Sequence, residues 1–255
     1  MSMLIDSYRF GSSAPTFYDE VLADGPYIWW RLGESSGTAM ADSSGNGQAG
    51  TLNGTASTDY DLSEPGLVGD SNTAIELKSS SGFIRSNVSY NALTLAANAT
   101  FAIAVKINSG AAGGTIFGLH DGSNPTGTTG SRDRLLYVDT SGALVAGIYS
   151  AAVRTIVHAG INDGQKHLIH LACGANNTEG SELYVDGVSV GTMPYISNDT
   201  ASNRYLYAGR LNLSAWPSGA AGAATALGVY DEIQVYTKRL SAARILAQAQ
   251  AGGFA

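Results

Sequence analysis

The chain has 255 residues, a length that suits one large β domain or two smaller ones. Charged residues make up only 14%, against about 25% in an average domain, while glycine reaches 32 residues and tyrosine 13, which describes a turn-rich β protein and not a helical enzyme. The formal net charge is −7, and the 14 Lys and Arg residues form no basic stripe, so no nucleic acid is expected as a partner.

Residues 1–13, "MSMLIDSYRFGSS", lack a basic segment followed by an apolar one and do not read as a secretory signal. No apolar run approaches about 18 residues, so no membrane insertion is expected. Residues 1–15 match no sandwich strand and read as an N-terminal arm that reaches a neighbouring subunit, with Ile5, Tyr8 and Phe10 as its contacts. "TFYDEVLAD" (16–24) then predicts a short helix, capped by Thr16 with Asp19 three residues on.

In the next segment, "PYIWWRLGESSG" (26–37), alternation sends Tyr27, Trp29 and Arg31 one way and Ile28, Trp30 and Leu32 the other, the second set towards the core. Both tryptophans read as packing residues, with the Trp29 N–H needing a partner. The loop "ADSSGNGQAGTL" (41–52) crowds oxygens from Asp42, Ser43, Ser44 and Asn46 among glycine turns. Two roles are open to it: part of an oxygen shell for a hard cation, or a plain Asx turn.

From residue 100 onward the period is two. Strands are expected at 100–107, 114–119, 134–139, 143–149, 153–159, 167–173, 181–186, 204–209 and 227–236, mostly separated by Gly, Asn, Asp or Ser. Asp186-Gly187 predicts a type I′ hairpin, because both positions need positive φ. Cys173 lies in an apolar run and reads as an inert core thiol. "SAARILAQAQAGG" (241–253) predicts a second helix, capped by Ser241 and ended by Gly252-Gly253. Many short strands without intervening helices argue for an all-β, antiparallel two-sheet sandwich over residues 16–255.

Several pieces in this order carry a resemblance. "WRLGESSG" with "DSSGNG", "TAIELKSSSGFIRS", "TFAIAVKI", "YVDG", "YLYAGR" and "DEIQVYTKRLS" resemble the laminin-G-like, concanavalin A-like jelly-roll family over residues 16–251. One departure is plain: the family carries Trp-His after its "DGQ" turn, and here Lys166 precedes His167. The resemblance implies a jelly-roll sandwich with a structural Ca2+ near the first loop and the strand carrying "DE". Carried over, it points to Asp42 and Asp231, with Asn46 and the carbonyls of Gly45 to Gly50 as helpers. The alternative is that Asp42 caps a turn and Asp231 pairs with Lys or Arg on an exposed strand.

Some glucanases share this fold and place carboxylates on one strand in a pattern like E-x-D-x-x-E, about 5–5.5 Å apart. No such run occurs. Asp231 and Glu232 are adjacent and are expected on opposite faces. No H-x-x-x-H helix, G-x-S-x-G elbow or phosphate loop is present, so the chain reads as a non-enzyme, with a glycoside hydrolase as the weakest alternative. The carbohydrate-binding candidates are Trp216 in "SAWPSG", Tyr195, and Tyr205 with Arg204 or Arg210. Trp216 leads because Pro217 and the nearby glycines read as loop, its other role being a lid folded back on the domain.

The opening "LIDSYRFG", the capped helix and "DGPYIWWRLGE" resemble minor tail and other virion proteins of bacteriophages that carry this jelly roll. The expectation is a virion structural protein, in the tail or on the capsid surface. It would be made in the host cytoplasm, assemble as a homo-oligomer with other virion proteins, and adhere to host-surface glycans. The runner-up is a stand-alone lectin-like carbohydrate-binding module.

Overall fold

The computed structural model describes residues 14–89, 98–111, 113–122, 124–127, 131–197 and 203–255. The expected arm contacts Ile5, Tyr8 and Phe10 lie outside the described residues.

The chain opens with α1 (Phe17–Asp24), β1 (Ile28–Trp30), β2 (Ala39–Met40), β3 (Gly50–Asn53), β4 (Tyr60–Pro65), β5 (Thr73–Leu77) and β6 (Phe83–Ser86). Longer strands follow: β7 (Ala99–Ile107), β8 (Gly114–His120), β9 (Arg132–Val138), β10 (Leu144–Tyr149), β11 (Val153–His158) and β12 (His167–Cys173). Then come β13 (Ser181–Val185), β14 (Val188–Met193), β15 (Tyr205–Ala208), β16 (Leu211–Asn212), β17 (Ala223–Ala224), β18 (Gly228–Tyr236) and α2 (Ala242–Ala251). They build two antiparallel sheets packed as a jelly-roll sandwich, with β16 and β17 paired as a separate two-stranded ribbon. The front sheet runs β14-β13-β12-β7-β18-β5-β4, with β1 also on β18, and the back sheet runs β11-β10-β9-β8-β15-β6-β3-β2.

Period-two alternation sets the core. Phe101, Ile103, Val105 and Ile107 of β7 face Phe117, Leu136, Val138 and Ala146 of the back sheet within one continuous cluster. The same cluster takes Ile28, Trp30 and Leu32, as alternation requires, along with the buried thiol of Cys173. Burial also pushes that thiol's pKa up. The Asp186-Gly187 turn has φ of 52° and 81°, the positive pair that the hairpin demands.

Strands β7 and β12 are buried on both faces because α1, α2 and residues 65–72 cover the outside of the front sheet. Small Ala102 and Ala104 on β7 leave room for this cover. Helix α1 starts at a reciprocal cap, with Thr16 Oγ1 accepting from the Asp19 amide at 3.2 Å and Asp19 Oδ2 accepting from the Thr16 amide at 2.9 Å. The two helices are joined underneath by buried polar groups. Gln248 Nε2 donates to Asp24 Oδ2 at 2.7 Å and to the Tyr236 hydroxyl at 3.0 Å, and Gln248 Oε1 lies 3.0 Å from His170 Nε2. Arg244 Nε adds a 2.8 Å bond to Asp24 Oδ1.

Lys166, which stands where the family carries tryptophan, supports this cover as well. Its Nζ donates to the Leu67 and Gly252 carbonyls at 3.0 and 3.3 Å and lies 4.6 Å from the centre of the Phe254 ring.

Candidate functional site

The oxygen-rich loop after β2 is closed by its own donors. Asp42 Oδ1 accepts from the amides of Trp29 and Ser44 at 3.0 Å each, and Oδ2 from the Ser44 hydroxyl at 2.7 Å and the Gln48 amide at 2.8 Å. Asn46 Nδ2 donates to the carbonyls of Pro26 at 3.3 Å and Tyr27 at 3.1 Å. Asp231 accepts from the Leu67 amide at 2.8 Å and shares none of Asp42's donors. Carboxylate oxygens already held by N–H and O–H donors offer little to a cation that wants ~6–8 oxygens. As placed, Asp42 anchors an Asx turn, and Asp231 is held by a separate donor.

Asp231 is not on an exposed strand: it is fully buried, and so is Glu232. The two were expected on opposite faces. The register between β18 and β7 shifts between Asp231 and Gln234, and Glu232 takes a φ of 51°, so a bulge turns both carboxylates outward from the core. Glu232 Oε2 accepts from Trp29 Nε1 at 2.5 Å and Oε1 from Arg31 Nε at 2.9 Å. Arg31 also pairs with Asp70 and packs 5.4 Å from the Trp29 ring and 5.3 Å from the Tyr18 ring. Burial pushes Asp231 well above the usual carboxylate range, with Glu232 adding to the shift, and burial pushes Glu232 up to about 7 against the pull of Arg31. Both acids are fully buried beneath α1 and residues 65–72.

Among the described residues, one trio has carboxylate oxygens close enough to share a cation: Asp61, Glu64 and Glu76, within 4.8 Å of one another on β4 and β5. Lys78 Nζ sits 2.7 Å from Asp61 Oδ2 and already supplies a positive charge there.

The four carbohydrate candidates do not share one place. Trp216 is not an exposed loop aromatic: it is only 6% exposed and belongs to a cluster with Leu135, Tyr137, Val145, Tyr207, Leu211 and Leu213. The reason lies on β10, where Gly147 leaves the space: a Cβ there would stand 2.5 Å from Trp216 Cζ3. The Tyr137 hydroxyl donates to the Pro217 carbonyl at 2.7 Å and pins the loop down. Trp216 is thus the folded-back lid, covering the β9–β10 half of the outer back-sheet face. Tyr195 packs against Arg154 of edge strand β11, 4.4 Å from its guanidinium.

Tyr205 and Arg210 do meet a common surface, on the half of the same face that Trp216 leaves uncovered. Arg85 stacks 5.2 Å over the Tyr205 ring, and Arg210 lies 5.9 Å over Phe83. Phe83 and Arg85 are two apart on β6 and share a face. Pairing carries the face across the sheet: Thr51 and Tyr207 both stand opposite Arg85, and His120 stands opposite both Tyr205 and Arg132. Phe83, Arg85, Tyr205 and Arg210 are all partly exposed, while Tyr207, His120 and Arg132 lie buried beside them. Sequence reading named Tyr205 and Arg210 but missed Phe83, Arg85, His120 and Arg132. The alternation in "GFIRS" was a signal for the first two, too short to use without its strand partners.

The carboxylates at the margin of this face hold turns. Asp59 accepts from the Ser79 hydroxyl at 2.5 Å and the Thr55 amide at 2.7 Å, which keep it below its ordinary pKa. Asp121 Oδ2 accepts from the Ser131 amide at 2.8 Å and lies 3.4 Å from Arg204 Nη1.

Comparison with solved structures gives the same sandwich in larger proteins. A Trypanosoma rangeli sialidase in complex with sialic acid matches with a TM-score of 0.62 at 13% identity, over 94% of this chain and 34% of that one. The receptor binding domain of a botulinum neurotoxin C/D mosaic serotype matches at 0.60 and 14% identity, over 89% of this chain and 51% of that one. The binding domain of Paraclostridial Mosquitocidal Protein 1 matches at 0.60 and 11% identity, over 89% and 52%. The chain therefore spans between about a third and a half of these proteins, and at such identities the likeness is one of fold. No curated protein matches. A laminin G family model, described as the concanavalin A-like lectin/glucanases superfamily, matches residues 79–246, from the turn before β6 into α2. With about two thirds of its length matched and two antiparallel sheets packed as that fold requires, the chain belongs to the concanavalin A-like lectin/glucanases superfamily.

Proposed function

We propose that this chain is a non-enzymatic adhesion domain that holds carbohydrate on the uncovered half of the outer back-sheet face, and that it serves as a structural component of a bacteriophage virion. The observation that carries the adhesion reading is the pair of ring–guanidinium stacks, Tyr205 with Arg85 and Phe83 with Arg210, on a partly exposed sheet surface. Aromatic rings take the apolar face of a sugar, and polar groups around them bind its hydroxyls; Asn53 and Thr51 on β3 stand opposite Phe83 and Arg85 for that purpose. Hydrolysis would need two accessible acids across a glycosidic bond. Asp59 and Asp121 are engaged in turns, and Asp231 and Glu232 are buried behind the other sheet.

The virion setting rests on the resemblance of residues 4–11 and of the segment from the capped helix to "WRLGE" to phage tail and virion proteins. In this reading Ile5, Tyr8 and Phe10 contact neighbouring subunits. Deleting residues 2–14 is expected to lower incorporation into particles, and unchanged incorporation and oligomeric state would remove the arm from the account. For adhesion, a glycan array on the purified chain is expected to give a specific hit that Tyr205→Ala abolishes while changing stability by less than about 1 kcal/mol. A hit that survives Tyr205→Ala would place the binding elsewhere.

A further inference from the structure

The uncovered face carries cations on a chain whose net charge is −7. Arg85 and Arg210 are partly exposed there, and Arg132 and His120, paired across β9 and β8, lie buried beside them against Gly122 and Gly127. Among the described residues, the carboxylates of Asp59 and Asp121 border them, both tied to turns. Among the described residues, the buried Nε atoms of Arg132 and Arg210 and the Nε2 atom of His120 have no hydrogen-bond partner. A buried donor without an acceptor is costly, so such groups call for a ligand acceptor. Two guanidinium donors and one imidazole nitrogen on one side of this sheet lack partners, and a guanidinium is shaped to bind a carboxylate or sulfate with two parallel hydrogen bonds.

We infer that the saccharide held on this face is an acidic one. Its carboxylate or sulfate lies against Arg210 and Arg85, and its ring lies beside Phe83 and Tyr205. This rests on the adhesion reading above and narrows it. A neutral sugar would leave the guanidiniums facing hydroxyls, which are weaker acceptors than an anion. A polymeric phosphate chain is disfavoured by the acidic remainder of the surface.

The test uses the full chain on an array of matched pairs: uronate oligosaccharides with their methyl esters, sialylated glycans with their desialylated forms, and sulfated glycans with their desulfated forms. An oligothymidylate is the polyanion control. Binding is expected only to charged members, with Arg210→Gln weakening it about tenfold or more and Arg210→Lys recovering part of the loss. Arg85→Gln serves as the second variant, and a thermal melt of each confirms the fold. Equal binding to neutral and charged members would overturn the acidic inference and leave the adhesion face standing. No binding to any glycan would overturn both. Charged-glycan binding that ignores both arginine variants, or equal binding to oligothymidylate, would also overturn the inference.

Discussion

The two outer faces of the sandwich are made from the same kind of strand and end in opposite conditions. On the front sheet, small Ala102 and Ala104 admit two helices and residues 65–72, and the face is closed. Every acid trapped there is matched to a donor: Glu232 to Trp29 and Arg31, Asp24 to Gln248 and Arg244. On the back sheet, Gly147 admits Trp216 and closes one half, while Phe83, Arg85 and Tyr205 leave the other half partly open. Small residues invite a cover, and the acids that the cover buries find donors. Large aromatic and cationic residues keep a face for a ligand.

The largest effect should come from breaking the closed face. Trp29→Ala removes a fully buried indole and the donor that holds Glu232 Oε2. The expected loss is about 3–5 kcal/mol, which for a domain of this size lowers Tm by roughly 10 °C. Tyr205→Ala, on the open face, should leave Tm nearly unchanged, and a melt of the two variants side by side measures the contrast. Trp216→Ala comes next, at about 3 kcal/mol, with glycan binding retained. Loss of binding at unchanged stability would mean that Trp216 is a ligand platform and not a cover.

The closed face also sets a pH dependence in which two raised carboxyls, Glu232 and its neighbour Asp231, oppose a lowered histidine. Burial raises Glu232 from 4.5 to about 7, so its contribution to stability is fully present below about pH 4.5 and lost as pH rises through 7. Burial lowers His170 from 6.5 to about 4, so its contribution is present above pH 6.5 and lost as pH falls towards 4. Between these limits the two slopes partly cancel. Glu232→Gln removes one raised carboxyl and should tilt the balance towards the histidine slope; His170→Gln should leave the carboxyl slope alone, with stability falling by about 1–3 kcal/mol from acid to neutral. Urea midpoints at several pH values read both. Identical slopes in wild type and Glu232→Gln would remove the buried acid from the account.

What the sequence revealed follows how local each feature is. Strands β7, β12 and β18 stand out by alternation within a single segment, both helices by their caps, and the hairpin by Asp186-Gly187. The bulge at Asp231 to Gln234 left no local sign, and one shifted residue reverses which face a carboxylate reaches. Trp216 stayed open between two roles for a related reason: a loop rich in Pro and Gly does not tell which way its ring folds, and the space that receives it is a missing side chain on a distant strand. The open face was half legible, because Tyr205 and Arg210 gain meaning only when β15 pairs with β6 and brings Arg85 beside them.

The smallest expected effect concerns the loop after β2. If Asp42 anchors that loop through four protein donors, a chelator has nothing to remove, and EDTA should move Tm by no more than about 1 °C. The anchor itself should matter more: Asp42→Ala leaves the amides of Trp29, Ser44 and Gln48 without their acceptor, at about 1–3 kcal/mol. Asp42→Asn keeps one oxygen in place and should cost less, because asparagine serves an Asx turn nearly as well. A cation-held loop predicts the opposite order, with a large chelator effect and with Asp42→Asn nearly as damaging as Asp42→Ala, since losing the charge is then what counts. Melting the three proteins with and without EDTA decides whether hydrogen bonds alone hold the loop that follows Trp29 and Trp30.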